Sequence, residues 1–158
     1  MSEHGDWTSR LGQAIALAGR GERDLARAVL TDLWAELADG DDAVARCAIA
    51  HQLADVQDDP RDELSWDLRA LEAADALTPE ALARSGAPGS VAGLYPSLHL
   101  NLAEDYRKLG DLPSARHHLE LGQRARPALA DDGYGHMIGR GLDDLAARLA
   151  SDEARASR

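Results

Sequence analysis

Phenylalanine is absent from this chain of 158 residues, and Cys47 and Lys108 are its only cysteine and lysine. One cysteine excludes an intrachain disulfide, and Cys47 lies inside an apolar helical pattern, so nothing favours an oxidising compartment. Long apolar runs are missing as well. Met1–Asp6 is polar and acidic and the longest apolar stretches are broken by charges, so the sequence predicts neither a leader nor a spanning helix, and a cytoplasmic chain. Positive charge is scarce, with 17 basic against 28 acidic residues and a net charge of -11. That balance repels phosphate backbones and anionic headgroups over a Debye length or more, which argues against nucleic acid and membrane as partners.

What is present favours helices. Hydrophobic residues make up 44% and charged residues 28% of the chain, rich in Ala, Leu, Arg and Asp, a helix-forming composition. Arginine used almost to the exclusion of lysine, with few Ile and Asn, points to a GC-rich bacterial genome. The length suits one domain with a sizeable core. Aligned to itself without a gap at an offset of 89 residues, the chain places Ala14, Leu17, Gly21, Ala26, Arg27 and Leu30 on Ala103, Tyr106, Gly110, Ala115, Arg116 and Leu119. At an offset of 53, Ile49, Ala50, Leu53 and Val56 fall on Leu102, Ala103, Tyr106 and Leu109. Two segments therefore share one supersecondary plan, and the second offset marks a third copy of its first helix.

The plan is legible in residues 96–129. Leu98, Leu102, Tyr106 and Leu109 recur at steps of three and four and form one helical stripe. Ala103 beside that stripe lets a second helix approach closely, with Ala115 as its small counterpart. Gly110 can take the left-handed conformation that closes a helix, and Asp111 suits the positive end of the next. Counted from Pro96, this segment resembles the tetratricopeptide repeat. Leu102, Ala103 and Tyr106 meet the family's first-helix positions, Ala115, Leu119 and Gly122 its second-helix signature, and Pro127 its closing proline. His99 and Gly122 depart from the commonest residues, Trp and Ala.

The resemblance implies an all-α domain over residues 1–150, a right-handed superhelical stack of antiparallel helix pairs with repeats at about 7–40, 43–77 and 96–129. The middle repeat is good in its first helix, Ala43–Gln57, and degenerate in its second, Pro60–Leu77. Between repeats, Thr78–Tyr95 is an insertion that reads as a short helix capped by Thr78, with Pro79 at its first position, followed by a Gly/Ser/Pro breaker run. After Pro127, Asp131 and Asp132 cap a final helix over 132–150 with Leu142, Leu145 and Leu149 on its apolar side, the capping helix that stacked repeats need. Residues 151–158 read as a frayed polar tail. In the first repeat, Leu25, Val29, Leu33 and Leu37 are expected to bury one stripe.

No constellation rises to an active site, and neither a catalytic residue, a cofactor nor a metal ligand is assigned. His51 and Asp55 lie four apart near Asp58, Asp59 and Asp62, but Asp58 and Asp59 immediately precede Pro60, as an N-cap and first-turn acids do. The tight ligand spacings of HExxH and CxxC are absent. His117 and His118 point about 100 degrees apart on a helix and cannot chelate one ion together. The glycines of 133–141 follow no strand and lack the lysine and hydroxyl of a phosphate loop; close packing at Gly135 and Gly139 explains them. Cys47 could face His51, but a buried or groove-lining thiol is the simpler reading. Trp7, Trp34 and Trp66 read as packing residues, Trp66 being the exception to watch because the repeat pattern fails in its helix.

The resemblance further implies a concave groove lined by first helices: Leu11 and Ile15, then Cys47, His51 and Asp55, then Leu100, Asn101, Glu104, Arg107 and Lys108. Its mixture of apolar and charged groups suits a peptide or protein segment, and the expected function is a non-catalytic adaptor. An alternative is a small-molecule or metal-binding sensor or enzyme with a pocket formed by His51, Asp55, Trp66, Tyr95 and His99. A third is self-assembly, with a second copy of the chain covering the groove.

Overall fold

The computed structural model describes residues 4–37 and 39–158, with side chains from Trp7 onward, so the polar start expected at Met1–Asp6 lies outside the described side chains. Every regular element among the described residues is helical: α1 (His4–Gly19), α2 (Arg23–Leu37), α3 (Ala43–Asp55), α4 (Pro60–Asp75), α5 (Pro79–Ser85), α6 (Tyr95–Lys108), α7 (Leu112–Ala125) and α8 (Gly133–Ala156), with short 3-10 turns at Ala92–Leu94 and Arg126–Ala128. None of them is long and apolar enough to cross a membrane. The chain divides into two compact units, Met1–Leu77 and Thr78–Arg158.

In the first unit, α1 and α2 form an antiparallel hairpin, α3 packs on both, and α4 returns along α3. Its core gathers Ala14, Ala26, Leu30, Leu33, Ala45, Ile49, Leu53 and Val56. The expected stripe on α2 is rotated. Ala26, Leu30 and Leu33 are buried while Leu25 is 55% exposed, because the small Ala26, not Leu25, sits at the close contact with α1. Arg27 is held at the end of α3, donating to the Val56 carbonyl from Nε at 3.0 Å and Nη2 at 2.6 Å, and Arg23 donates to the Asp55 and Gln57 carbonyls at 3.1 and 3.0 Å. These guanidiniums satisfy carbonyls that a helix end leaves without intrahelical partners.

In the second unit, α6 and α7 form the hairpin and α8 packs on both. Ala103, Ala115, Leu119, Ile138, Leu142, Leu145 and Leu149 make its core. The insertion holds α5, with Thr78 Oγ1 accepting from the Ala81 amide and Gly86 closing the helix at φ 74°. Asp132 caps α8, its side chain accepting from the Gly135 amide.

The two units repeat one another further than the hairpins. At the same offset of 89, Ile49, Ala50 and Leu53 of α3 and Val56 just after it fall on Ile138, Gly139, Leu142 and Leu145 of α8, and all eight are buried. Thus α8 takes in the second unit the place of α3 in the first. The hairpin turns agree in detail: Gly21 and Gly110 have φ of 82° and 81°, and the amides of Glu22 and Asp111 each reach back to the Leu17 and Tyr106 carbonyls at 2.9 Å, the long bond of a Schellman closure.

The units part at one residue. Pro60 breaks the chain after α3, since proline lacks the amide a helix interior requires, and starts α4. Leu149 stands at the equivalent position, so α8 runs on to Ala156. This corrects both the expected end of the final helix at 150 and the frayed tail. Two further turns form there, where Asp152 meets Arg107 at 3.0 Å and Glu153 pairs with Arg116.

Candidate functional site

Pro96 at the first turn of α6 is followed by Ser97, Leu98 and His99, all buried. Gly122 on α7 makes that approach feasible. A Cβ built there would lie 2.9 Å from Leu142 Cδ2 and 3.4 Å from the His99 Cβ, so even an alanine would crowd α7 against both α8 and α6. One turn earlier on α7, His118 turns toward His99, and their Nδ1 atoms are 3.1 Å apart.

The ring centroids of this pair are 5.3 Å apart, close to the largest value that the nitrogen separation and two ring radii allow. The nitrogens therefore lie almost on the line joining the ring centres, and each lone pair or N–H bond points at the other ring. Such a pair shares a proton: one ring carries its hydrogen on Nδ1 and donates, the other carries it on Nε2 and accepts. An ion does not fit between them, because metal to imidazole bonds of about 2.0 Å need a bent arrangement with converging lone pairs. Tyr106 lies parallel to His118 at 5.4 Å, and Tyr95 stacks on His99 at 6.0 Å. His117 meets His118 only edge to face, at 72°. Burial first, and then the neighbouring His99 and His117, push the His118 imidazole down to a pKa of about 4, so it is neutral near pH 7.

Beside the pair lies an open cleft of about 630 Å³, walled by Val91, Tyr95, His99, Leu121 and Pro127, with Arg124 at its edge. Arg124 is exposed and makes no ion pair among the described residues. The cleft offers apolar surface, one imidazole edge and one cation. Ser97 does not line it, and its Oγ donates to the Leu94 carbonyl at 3.1 Å.

The residues expected to line a groove fall in both units. In the first, Ile15 is 46% exposed and Leu11 packs on the core. His51 Nε2 stands 4.0 Å from Asp55 Oδ2. Cys47 is buried, and burial pushes its thiol up to a pKa of about 11, which keeps it protonated and unfit as a nucleophile. Trp66, of the alternative pocket, packs edge-on against Trp34 at 5.1 Å. In the second unit, Leu100 packs on the core, Asn101 is half-buried and Lys108 is exposed. Glu104 and Arg107 are engaged with each other at 2.8 Å, and Arg107 reaches Asp152 on α8. The Arg107 guanidinium holds the Glu104 carboxyl below its ordinary range. Arg107 thus ties α6 to α8, which the sequence register alone did not show.

The glycines of α8 also need revision. A Cβ at Gly135 would lie 1.9 Å from the Ala130 carbonyl oxygen, and one at Gly139 would meet only the flexible Arg126 guanidinium. Gly135 therefore admits the loop leading into its own helix. Helix packing is served instead by Gly141, whose Cβ would lie 2.8 Å from Leu100 Cδ2.

Sequence reasoning missed the His99–His118 pair because it set His117 beside His118 and never crossed the hairpin. The signal was available in the repeat, where Arg10 and Val29 stand at the equivalent positions: two histidines replace an unrelated pair. No family model matches this chain, and no curated protein or solved structure is significantly similar to it.

Proposed function

We propose that this chain is a non-catalytic binding protein of the tetratricopeptide-repeat kind, its helix pairs forming a superhelical stack, and that the α6–α7 hairpin receives an apolar side chain of a peptide segment. The observation that carries the reading is the cleft beside the imidazole pair: apolar walls on two helices, with the Arg124 guanidinium at the rim. Such a surface rewards an apolar residue with an acidic neighbour, the first by burial and the second by its charge. The protonated Cys47 thiol and the neutral His118 support a binding role over covalent or acid chemistry.

Selection from a random peptide library on the immobilised protein tests this. The expected motif pairs a large apolar residue with Asp or Glu, Leu121→Arg abolishes its capture, and Arg124→Glu switches the preference to Lys or Arg. Absence of a motif, or one indifferent to both substitutions, overturns the proposal.

A further inference from the structure

The first unit holds seven basic residues among seventeen acidic ones. Arg10, Arg20, Arg23 and Arg27 are each in an ion pair. Arg46, Arg61 and Arg69 have no ion pair among the described residues, although carboxylates are plentiful around them in sequence. Those three border two hollows that share Arg69 and Glu72. One, of about 230 Å³, is lined by Trp34, Arg46, Arg69 and Glu72; the other, of about 360 Å³, runs along α4 past Arg61, Leu64 and Leu68.

The smaller hollow has the features of a built site. The Arg46 guanidinium lines it, and the Arg46 Nε–H is buried without an acceptor, so the group carries its charge without an internal hydrogen bond at that atom. The Arg69 guanidinium lies 4.3 Å above the Trp66 ring, and Trp66 is itself braced edge-on by Trp34. A guanidinium set against an indole face keeps its in-plane N–H donors available while losing freedom to swing away. Arginine forks match the two oxygens of a carboxylate.

We infer that the hollow between Arg46 and Arg69 binds a carboxylate side chain of an acidic peptide segment, whose flanking apolar residue lies along α4 against Leu64 and Leu68. At physiological salt the remaining acidic residues of the unit are largely screened beyond about 8 Å, so the guanidiniums in contact decide the local preference. Glu72 is the one acidic group in the lining, and it opposes the ligand. This site is independent of the cleft on α6–α7.

The test is a titration of the ¹⁵N-labelled full chain with a blocked Glu-Leu dipeptide, a blocked Gln-Leu dipeptide and inorganic phosphate, read at the arginine Nε–H signals. The Glu peptide should shift Arg46 and Arg69 saturably, leave Arg27 unmoved, and keep doing so in the Leu121→Arg protein. Arg69→Gln, on the exposed side of the hollow, should abolish the response even if Arg46→Gln fails to fold. Glu72→Gln should tighten binding by about twofold to fivefold through loss of a like charge. An equal response to the Gln peptide, shifts spread over all arginines, or tighter binding of phosphate would each overturn the assignment.

Discussion

The two units share a three-helix plan and use it differently. In the first, seventeen acidic residues face seven basic ones; in the second the counts are eleven and ten, so almost all of the chain's net charge resides before Thr78. The equivalent arginines Arg27 and Arg116 both reach the helix that follows their hairpin, Arg27 at the Val56 carbonyl that closes α3 and Arg116 at Glu153 of α8. Arg27 finds a backbone carbonyl as well as the Asp58 side chain, because α3 ends where α8 continues. The hairpin is thus a tolerant scaffold: its small contacts and glycine turn are held, while polar groups around it are free to take on different tasks. The imidazole pair belongs to the second unit alone, and the unpaired arginines around Trp66 to the first.

The comparison can be broken first at the cores. Leu30 and Leu119 are equivalent, and each is 1% exposed. Leu30→Ala and Leu119→Ala should each cost about 2 to 5 kcal/mol in urea unfolding; a near-zero loss for either would contradict the shared packing. Leu33→Ala, also fully buried, belongs to the same range.

Leu149→Pro places the break of the first unit into the second. It should cost about 3 kcal/mol or more and lower the helical circular dichroism, because the last two turns of α8 and their ties to Arg107 and Arg116 depend on an unbroken helix. Unchanged helicity would mean that Pro60 is not what separates the two designs.

At the turns, Gly21→Ala and Gly110→Ala should each lose about 1 to 2 kcal/mol. No atom would lie within 4 Å of either added Cβ, so the positive φ is the whole cause. Unequal losses would show that the turns are not equivalent under load.

The smallest effect expected is a pH dependence carried by His118 of the second unit. His118 titrates near pH 4 when folded, against an ordinary 6.5, so the unfolded chain takes up its proton first. Its contribution is fully present above about pH 6.5 and is lost as the pH falls from there toward 4. Discounted for the ring's partial exposure, this amounts to about 1 kcal/mol. His118→Val, the residue found at the equivalent place in the first unit, should flatten the stability curve over that window; an unchanged slope would remove the imidazole pair from the account. Below it, the carboxyls of Glu104, Asp152 and Glu153, each held low chiefly by hydrogen bonds from arginine, add a further loss as they protonate.

Much of the helical layout could be read from the residues. The alternation of large and small apolar positions placed the hairpins, Thr78 and Pro79 announced α5, and Asp132 announced α8. The candidate sites were far less legible. His99 departs from a common aromatic and enters the alternative pocket, but no local pattern pairs it with His118, and a lone arginine on a helix, such as Arg46 or Arg69, carries no pattern. A stripe of Leu25, Val29, Leu33 and Leu37 fits a helix in more than one rotation, so the residues alone do not keep Leu25 out of the core.

The sequence by itself determined helix starts, the helix stops before α8 and the small-residue contacts within the hairpins, because caps, glycine turns and proline breaks act within a few residues of chain. Tertiary structure decided which face of α2 is buried, that His118 meets His99 across the α6–α7 hairpin, and that Asp152 and Glu153 extend α8 by reaching back to α6 and α7. Those outcomes depend on the rotation and closeness of packed helices, set by side-chain volumes such as the missing one at Gly122, and such contacts join residues that no local rule relates.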